Sequence, residues 1–435
     1  MRYIIEFLAK VTLRLIIMAI KIGVENLMTG MYVAKLDRPW LDTSFLFQGF
    51  VINNMDIISE LRSTCDFVYV DEEKSKIVIP KKFNDHTVTS NIANRTELRR
   101  SKKFIYDSVD QQTFKTELPI ARALQTDTRA YINDALDDVR LGRSINTNDA
   151  KQLVANLAES VVRNPNALLW LSHLKQRDEY TAIHSVNVCI LALTFGRNLG
   201  LPKNELNQLG LGALLHDIGK MVVPLEILNK PGALTAKEFL ALKEHPSFGY
   251  DLLKTKNKLP EFLLEVVKYH HERENGSGYP NGLIGRQLNQ FTKIVTIVDV
   301  YDAITSDRVY HDAINPSVAL NKMYTWAPKD FDKNLFNEFI KCLGIYPVGS
   351  LVELNTGEVG IVTSSAQNHR LKPTVLLVLD KDKSTYKSNK LINLASSVWR
   401  HDPKPREVLR VIENHSYGID VNKVLVSSML DNVAN

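Results

Sequence analysis

The chain has 435 residues, 44% of them hydrophobic and 24% charged, with 54 basic against 49 acidic side chains and a formal net charge of +5. That length exceeds one ordinary core and predicts two or three domains of ordinary globular composition, and the mild charge creates no demand for a DNA or RNA polymer while leaving room for a small anionic ligand. Three scattered cysteines (Cys65, Cys189, Cys342) without a CxxC spacing exclude a disulfide framework or a zinc–thiolate site and fit a reducing, cytoplasmic setting.

The first segment, residues 1–19, is apolar but broken by Glu6, Lys10 and Arg14 on one helical face, and its longest uncharged run, Leu15 to Ile20, is too short to cross a bilayer. Three readings stand: a helix packed on the protein, a peripheral helix at the inner-membrane surface through residues 1–20, or upstream sequence with Met18 as the true start rather than Met1. Residues 20–80 alternate in short apolar segments with turns. FVYV and KIVI read as strands and MDIISELRS as a short helix, which predicts a small α/β module. Residues 81–150 read as a linker and connecting helix. Their basic cluster of Arg95, Arg99, Arg100, Lys102 and Lys103 is a solvated linker or a docking surface.

Residues 151–343 are expected to be helical. Leu153, Val154, Leu157, Val161 and Val162 mark one amphipathic helix, bounded by Pro165. DEYTAIHSVNVCILALTFGRNLGLP is another, stopped by Gly200 and Pro202. Thr235 and Glu238 form a capping-box pattern that starts the helix leading to His245, and Pro246 places His245 just past a helix end. Pro260 opens a helix that delivers His270 and His271 at its C-terminal end, and ERENGSGYPNG must then be a loop. Residues 344–435 read as a β-containing extension. The expected fold class is mainly α, a helical bundle flanked by a small N-terminal α/β module and a short C-terminal β extension.

Chemistry concentrates between residues 184 and 299. His216 and Asp217 are adjacent in LGALLHDIGK and offer an imidazole and a carboxylate at one point on the backbone. His184, His245, His270, His271 and Asp299 each stand at the edge of an apolar segment. Seven nitrogen and oxygen donors without thiolate suit two metal ions better than one, with Asp217 able to bridge them, in the manner of sites built by facing helices. Such donors favour iron, manganese or zinc, and a metal pair lowers the pKa of a shared water from about 15.7 towards 7. Lys220 lies one turn beyond the doublet, where it neutralises a phosphate oxygen. Each residue alone has a duller explanation: a satisfied core histidine, a helix C-terminus favouring cations, a surface lysine, a turn at Gly278-Tyr279-Pro280. The ordered conjunction has none, and the chain reads as a metal-dependent hydrolase.

From Asp178 to Phe339 the motifs DEYTAIHSVNV, LLHDIGK, ILNKPGALT, EHPSFGYDLL, HHERENGSGYP and VDVYDAITSDRVY resemble the HD-GYP family, a bacterial signalling branch of the HD-domain phosphohydrolases. LMTGMYVAKLDRPWL resembles the uncharacterised domain that often precedes HD-GYP domains. The resemblance implies a helical HD-domain bundle and a phosphodiesterase that hydrolyses c-di-GMP or 3′3′-cyclic GMP-AMP to a linear 5′-phosphorylated dinucleotide by attack of a metal-bridging hydroxide. It implies His184, His216, Asp217, His245, His270, His271 and Asp299 as ligands of two divalent ions, iron or manganese, with Asp217 and Lys220 catalytic. Lys220, Gly278, Tyr279, Pro280, Arg308 and His311 are the implied substrate contacts.

Departures from the family pattern bear on selectivity and metal count. Tyr180 stands where some relatives carry a glutamate for a third metal, so two are expected. Asn275 replaces the usual loop aspartate, Val309 a common proline, and His311 a basic residue that in some relatives grips guanine. Alternatives are a non-catalytic cyclic-dinucleotide receptor and an HD phosphohydrolase for another nucleotide. A protein partner through the N-terminal module and a homodimer remain open as partners, and the expected location is cytoplasmic.

Overall fold

The computed structural model describes residues 19–37, 50–72, 74–79, 112–173, 180–228, 230, 232–257, 259–306, 313–364, 371–396, 405–414, 416–421 and 423–424. The chain divides into two compact units, residues 1–101 and 102–435. Residues 1–18 and the basic cluster at 95–103 lie outside the described residues, as do Arg308, Val309 and His311. Among the described residues no helix is long and apolar enough to cross a membrane.

The N-terminal unit is an antiparallel sheet of β1 (Ala19–Gly23), β2 (Tyr32–Leu36), β3 (Phe50–Val51) and β4 (Phe67–Asp71) in the order β1-β4-β2-β3, with helix α1 (Met55–Thr64). Alternation along β4 sends Val68 and Val70 inward, opposite Ile22 of β1 and Val33 of β2, and α1 contributes Ile58 and Leu61 to the same core. Asn54 caps α1 by accepting from the amide of Ile57. Residues 76–79, expected as a strand, are not one. Both sides of β4 already carry ladders, so the segment gives one backbone bond (Lys76 N to Gly30 O, 2.7 Å), and Ile77 and Ile79 dock on the core while Val78 stays 94% exposed.

The second unit opens with α2 (Phe114–Arg140), a 27-residue helix of about 40 Å. It packs against α3 (Thr147–Arg163), α4 (Pro165–Ser172), α5 (Tyr180–Asn198) and the 3-10 turn Ile218–Val222. The expected connecting helix is thus part of the bundle wall. Then follow α6 (Lys203–Leu215), α7 (Leu225–Leu228), α8 (Ala236–Leu242), α9 (His245–Leu252), α10 (Glu261–Tyr269), α11 (Gln290–Thr305), α12 (Pro316–Asp330) and α13 (Lys333–Leu343). α5 is apolar on all sides, with Val186, Val188, Ile190, Leu191, Leu193 and Phe195 buried, so it runs through the middle of the bundle. It packs on α6 and α11. Local signals set the helix ends: the Thr235–Glu238 capping box opens α8, Pro246 stands at the first turn of α9, and Pro260 is the N-cap of α10.

The C-terminal extension is an antiparallel sheet in the order β8-β7-β6-β5-β9, formed by β5 (Leu351–Leu354), β6 (Val359–Ser364), β7 (Thr374–Leu379), β8 (Thr385–Asn393) and β9 (Val408–Val411). Its core is Val352, Leu354, Val362, Val375, Leu377, Ile392 and Leu394. Asn315 Nδ2 donates to Ile412 O (3.0 Å) and Ser317 Oγ to Ile345 O (3.0 Å), tying the start of α12 to this extension.

Glu117 of α2 is fully buried and accepts from Ser160 Oγ (2.7 Å), Arg163 Nε (2.8 Å) and Arg163 Nη2 (2.8 Å) of α3. Glu117→Ala strips buried Ser160 and half-buried Arg163 of their acceptor and is expected to lower unfolding stability by about 3 kcal/mol. Urea denaturation checks this; a loss below about 1 kcal/mol would mean that Arg163, a quarter exposed, is compensated by water.

Candidate metal centre and active site

Seven side chains from five elements converge inside the bundle. His184 comes from α5, His216 caps the end of α6, and Asp217 leads into the 3-10 turn that carries Lys220. His245 opens α9, just past the end of α8, His270 is the C-cap of α10 with His271 beside it, and Asp299 lies on α11. His184, His216, Asp217, His245, His270 and Asp299 are all buried. His271 is more open, its side chain 18% exposed.

Helix ends explain how three of the imidazoles are oriented. The last carbonyls of a helix lack an intrahelical partner, and a histidine three residues on can donate to one. His216 Nδ1 meets Ala213 O (2.7 Å), His245 Nδ1 meets Leu242 O (2.7 Å) and His270 Nδ1 meets Val267 O (2.9 Å). Each bond puts the proton on Nδ1 and leaves the Nε2 lone pair facing the centre. His184 Nδ1 meets Asp302 Oδ2 instead, at 2.7 Å.

The Nε2 atoms gather round two carboxylates. Asp217 Oδ1 lies 3.2 Å from His245 and 3.7 Å from His270, while its Oδ2 lies 3.3 Å from His216 and 3.6 Å from His184. Asp299 Oδ1 is 3.0 Å from His184 Nε2, and its Oδ2 is 3.9 Å from His271 Nδ1. The donors form two groups that could each hold a metal ion, Asp217 with His245, His270 and His271, and Asp217 with His184 and His216. Asp217 belongs to both. His216 Nε2 and Asp217 Oδ1 are fully buried and make no hydrogen bond among the described residues, orphaned polar atoms that a cation would satisfy.

Electrostatics agree with that role. Burial alone would protonate Asp217, yet His216 and Lys220 hold it well below the ordinary carboxylate range. Asp299 likewise stays ionised against burial, chiefly through its hydrogen bond to His184. Burial pushes His270 down to about 4 and holds His271 well below its ordinary value, so both remain neutral and able to donate a lone pair. His184 differs: burial disfavours its charge, but hydrogen bonds to Asp299 and Asp302 carry its pKa up to about 9, so without a cation Nε2 holds a proton against Asp299 Oδ1, which a cation would have to displace. Lys220 Nζ donates to Asp217 Oδ2, with its side chain 19% exposed.

Residues 162–335 match the HD domain, residues 19–150 a domain of unknown function (DUF3391), and residues 351–398 a KOW domain associated with the HD domain. A cyclic di-GMP phosphodiesterase of Pseudomonas aeruginosa is 37% identical over 357 residues, which cover 82% of this chain and 84% of that one. The chain belongs to the HD-GYP family. The cyclic di-GMP phosphodiesterase response regulator RpfG of Xanthomonas campestris is 33% identical over 44% of this chain and 51% of its own. The 3′3′-cGAMP-specific phosphodiesterase 2 of Vibrio cholerae is 33% identical over 38% of this chain and 29% of its own.

The loop that completes the HD-GYP site is pinned from beneath by Glu272, a fully buried residue. Its Oε1 accepts from Asn281 N (2.7 Å) and its Oε2 from Leu283 N (3.0 Å), so one carboxylate clasps the far side of the turn. Gly278 packs so closely that an added Cβ would sit 2.4 Å from Glu272 Cα and 2.5 Å from His271 O. Tyr279, before a cis bond to Pro280, stacks on His271 with ring centroids 4.6 Å apart. Asn275 accepts from Ser277 N (3.0 Å), serving the turn as a neutral side chain. A second close approach sits under the doublet: a Cβ on Gly219 would meet His245 O at 2.0 Å, so only glycine lets the Lys220 turn lie against α9.

Sequence reasoning passed over Glu272 and Asp302. Glu272 follows the paired histidines directly, and a buried acid ahead of a glycine-rich loop is a plausible clasp for its amides. Asp302 stands one helical turn beyond Asp299 on the same face. Gly278→Ala forces the loop off His271 and is expected to lower kcat/KM on a cyclic dinucleotide by about 100-fold while metal content holds. Steady-state kinetics beside elemental analysis check it, and unchanged kinetics would remove the loop from catalysis.

Proposed function

We propose that this chain is a metal-dependent phosphodiesterase that opens a cyclic dinucleotide, c-di-GMP or 3′3′-cyclic GMP-AMP, to a linear dinucleotide with a 5′ phosphate. The observation that carries this is the pair of donor groups sharing Asp217, beside an ammonium at Lys220 and under the GYP loop. The similarity over 82% of the chain to a cyclic di-GMP phosphodiesterase supports the substrate class.

The donor set fits two divalent cations. All donors are imidazole nitrogen or carboxylate oxygen, which suits iron or manganese. One cation would be held by Asp217, His245, His270 and His271, and the other by Asp217, His184 and His216, with Asp299 turning one oxygen towards each group. When bound, such cations supply Lewis-acid charge and acidify a water towards a pKa of about 7.

The chain's own residues do the rest. Lys220 Nζ, already poised over Asp217 Oδ2, balances charge that builds on the phosphate oxygens. Cleavage is in-line attack of hydroxide on one phosphorus with departure of the ribose 3′ oxygen. Tyr279, backed by His271, walls the pocket, and Gly278 and Pro280 set its loop. Arg308 and His311 contact base or phosphate from outside the described residues. The N-terminal sheet has a core of its own, and among the described residues the candidate donor groups lie in the second unit, which favours a protein partner for that module over catalysis by it.

Turnover of c-di-GMP and 3′3′-cyclic GMP-AMP by anaerobically prepared, iron- or manganese-loaded protein, followed by chromatography, tests the proposal. A linear product with a 5′ phosphate is expected. Bound metal without turnover of either would make the chain a receptor. Asp217→Ala is expected to abolish turnover and lower metal content, and full activity in that variant would refute the assignment. Lys220→Ala is expected to keep its metal and lose about 100- to 1,000-fold in kcat, measured at saturating substrate.

A further inference from the structure

The four imidazoles that turn Nε2 to the centre are not held alike. His216, His245 and His270 follow helix ends and use the free carbonyls there. His184 lies inside α5, where the carbonyls of the preceding turn are engaged by amides of the helix itself. Its Nδ1 is met instead by a carboxylate, Asp302 Oδ2, at 2.7 Å. Asp302 is 2% exposed and belongs to α11, one turn after Asp299. α11 therefore grips both nitrogens of one ring, Asp299 Oδ1 at Nε2 (3.0 Å) and Asp302 at Nδ1.

Asp302 is itself held in place. Asn187 Nδ2 donates to its Oδ1 (3.3 Å) and to Ser172 O (3.2 Å), and Ser306 Oγ donates to its Oδ2 (3.2 Å). A buried carboxylate costs several kcal/mol in desolvation, more than a neutral acceptor that would satisfy Nδ1 equally well. What the anion adds is basicity at Nε2, the effect by which outer carboxylates strengthen histidine ligands. His184 is also the member of its donor group that α5 alone contributes, so this half of the centre depends on its orientation.

We infer that Asp302 is a positioning residue for the half of the centre formed by His184, His216 and Asp217. It keeps the His184 proton on Nδ1 and makes Nε2 a stronger donor, so that this half retains its cation, while in the other half His245 and His270 are oriented by backbone carbonyls. The inference rests on the two-cation reading above, and the experiment separates the two.

Full-length, metal-free protein is titrated with manganese(II), following bound metal per chain and the electron paramagnetic resonance spectrum. Wild-type protein is expected to take two ions with the spectrum of a coupled pair. Asp302→Ala is expected to hold one ion tightly, with an isolated-ion spectrum, and to bind the second about 100-fold more weakly. Asp302→Asn keeps the volume and an acceptor for Nδ1 but loses the charge, and is expected to weaken the second ion about 10-fold. It decides the matter if the alanine variant does not fold. A coupled pair unchanged in Asp302→Asn, or both ions weakened alike, overturns the positioning role. Failure of wild-type protein to bind a pair at all overturns the two-cation reading instead.

Discussion

Two carboxylates, Asp217 and Asp299, stay ionised where water cannot solvate them. Burial alone would raise both, and isolated anions in such a place cost far more than a fold can spare. They persist because five imidazoles lie between 3.0 and 3.9 Å from their oxygens and Lys220 donates to Asp217, within the range where opposite or polar partners offset desolvation. The bundle is arranged around that requirement. Five separate elements must end or pass within reach of one point, and the apolar helix α5, packed between α6 and α11, is the axis that sets their spacing.

Orientation comes from an economical use of helix termini. A helix leaves unpaired carbonyls at its end, and a histidine placed there satisfies one while aiming its other nitrogen inward. His216, His245 and His270 all exploit this, so the same bond finishes a helix and presets a tautomer. Backbone geometry thus fixes the direction of these three imidazoles. His184 is the exception, and its carboxylate partner shows what a mid-helix imidazole needs in place of a free carbonyl.

Close backbone contact is the second organising device. Gly219 lets the turn bearing Lys220 lie on α9, and Gly278 lets the GYP loop lie on the His271–Arg273 backbone, with Glu272 fastening the far side. Lys220 and Tyr279 are thereby both positioned against the histidines rather than against the protein surface. The long helix α2 reaches the same 3-10 turn, where Arg140 Nη2 meets Met221 Sδ at 3.2 Å.

Most helix ends and the candidate donor residues are marked in the sequence itself. Pro246, Pro260 and the Thr235–Glu238 box act within one turn of themselves, so the helix ends that carry His245 and His270 were legible, as was the loop after them. The seven donors were legible because their residue types and order are specific. The strand expected at residues 76–79 was not formed, since alternation signals which side chains turn inward but not whether a neighbouring strand has an edge free. What needed the tertiary structure is that Glu272 clasps the loop and that Asp302 holds His184 across 118 positions of sequence. Those contacts depend on which helices pack together, and packing sums weak, non-directional burial over the whole core, leaving no mark within a turn of any one residue.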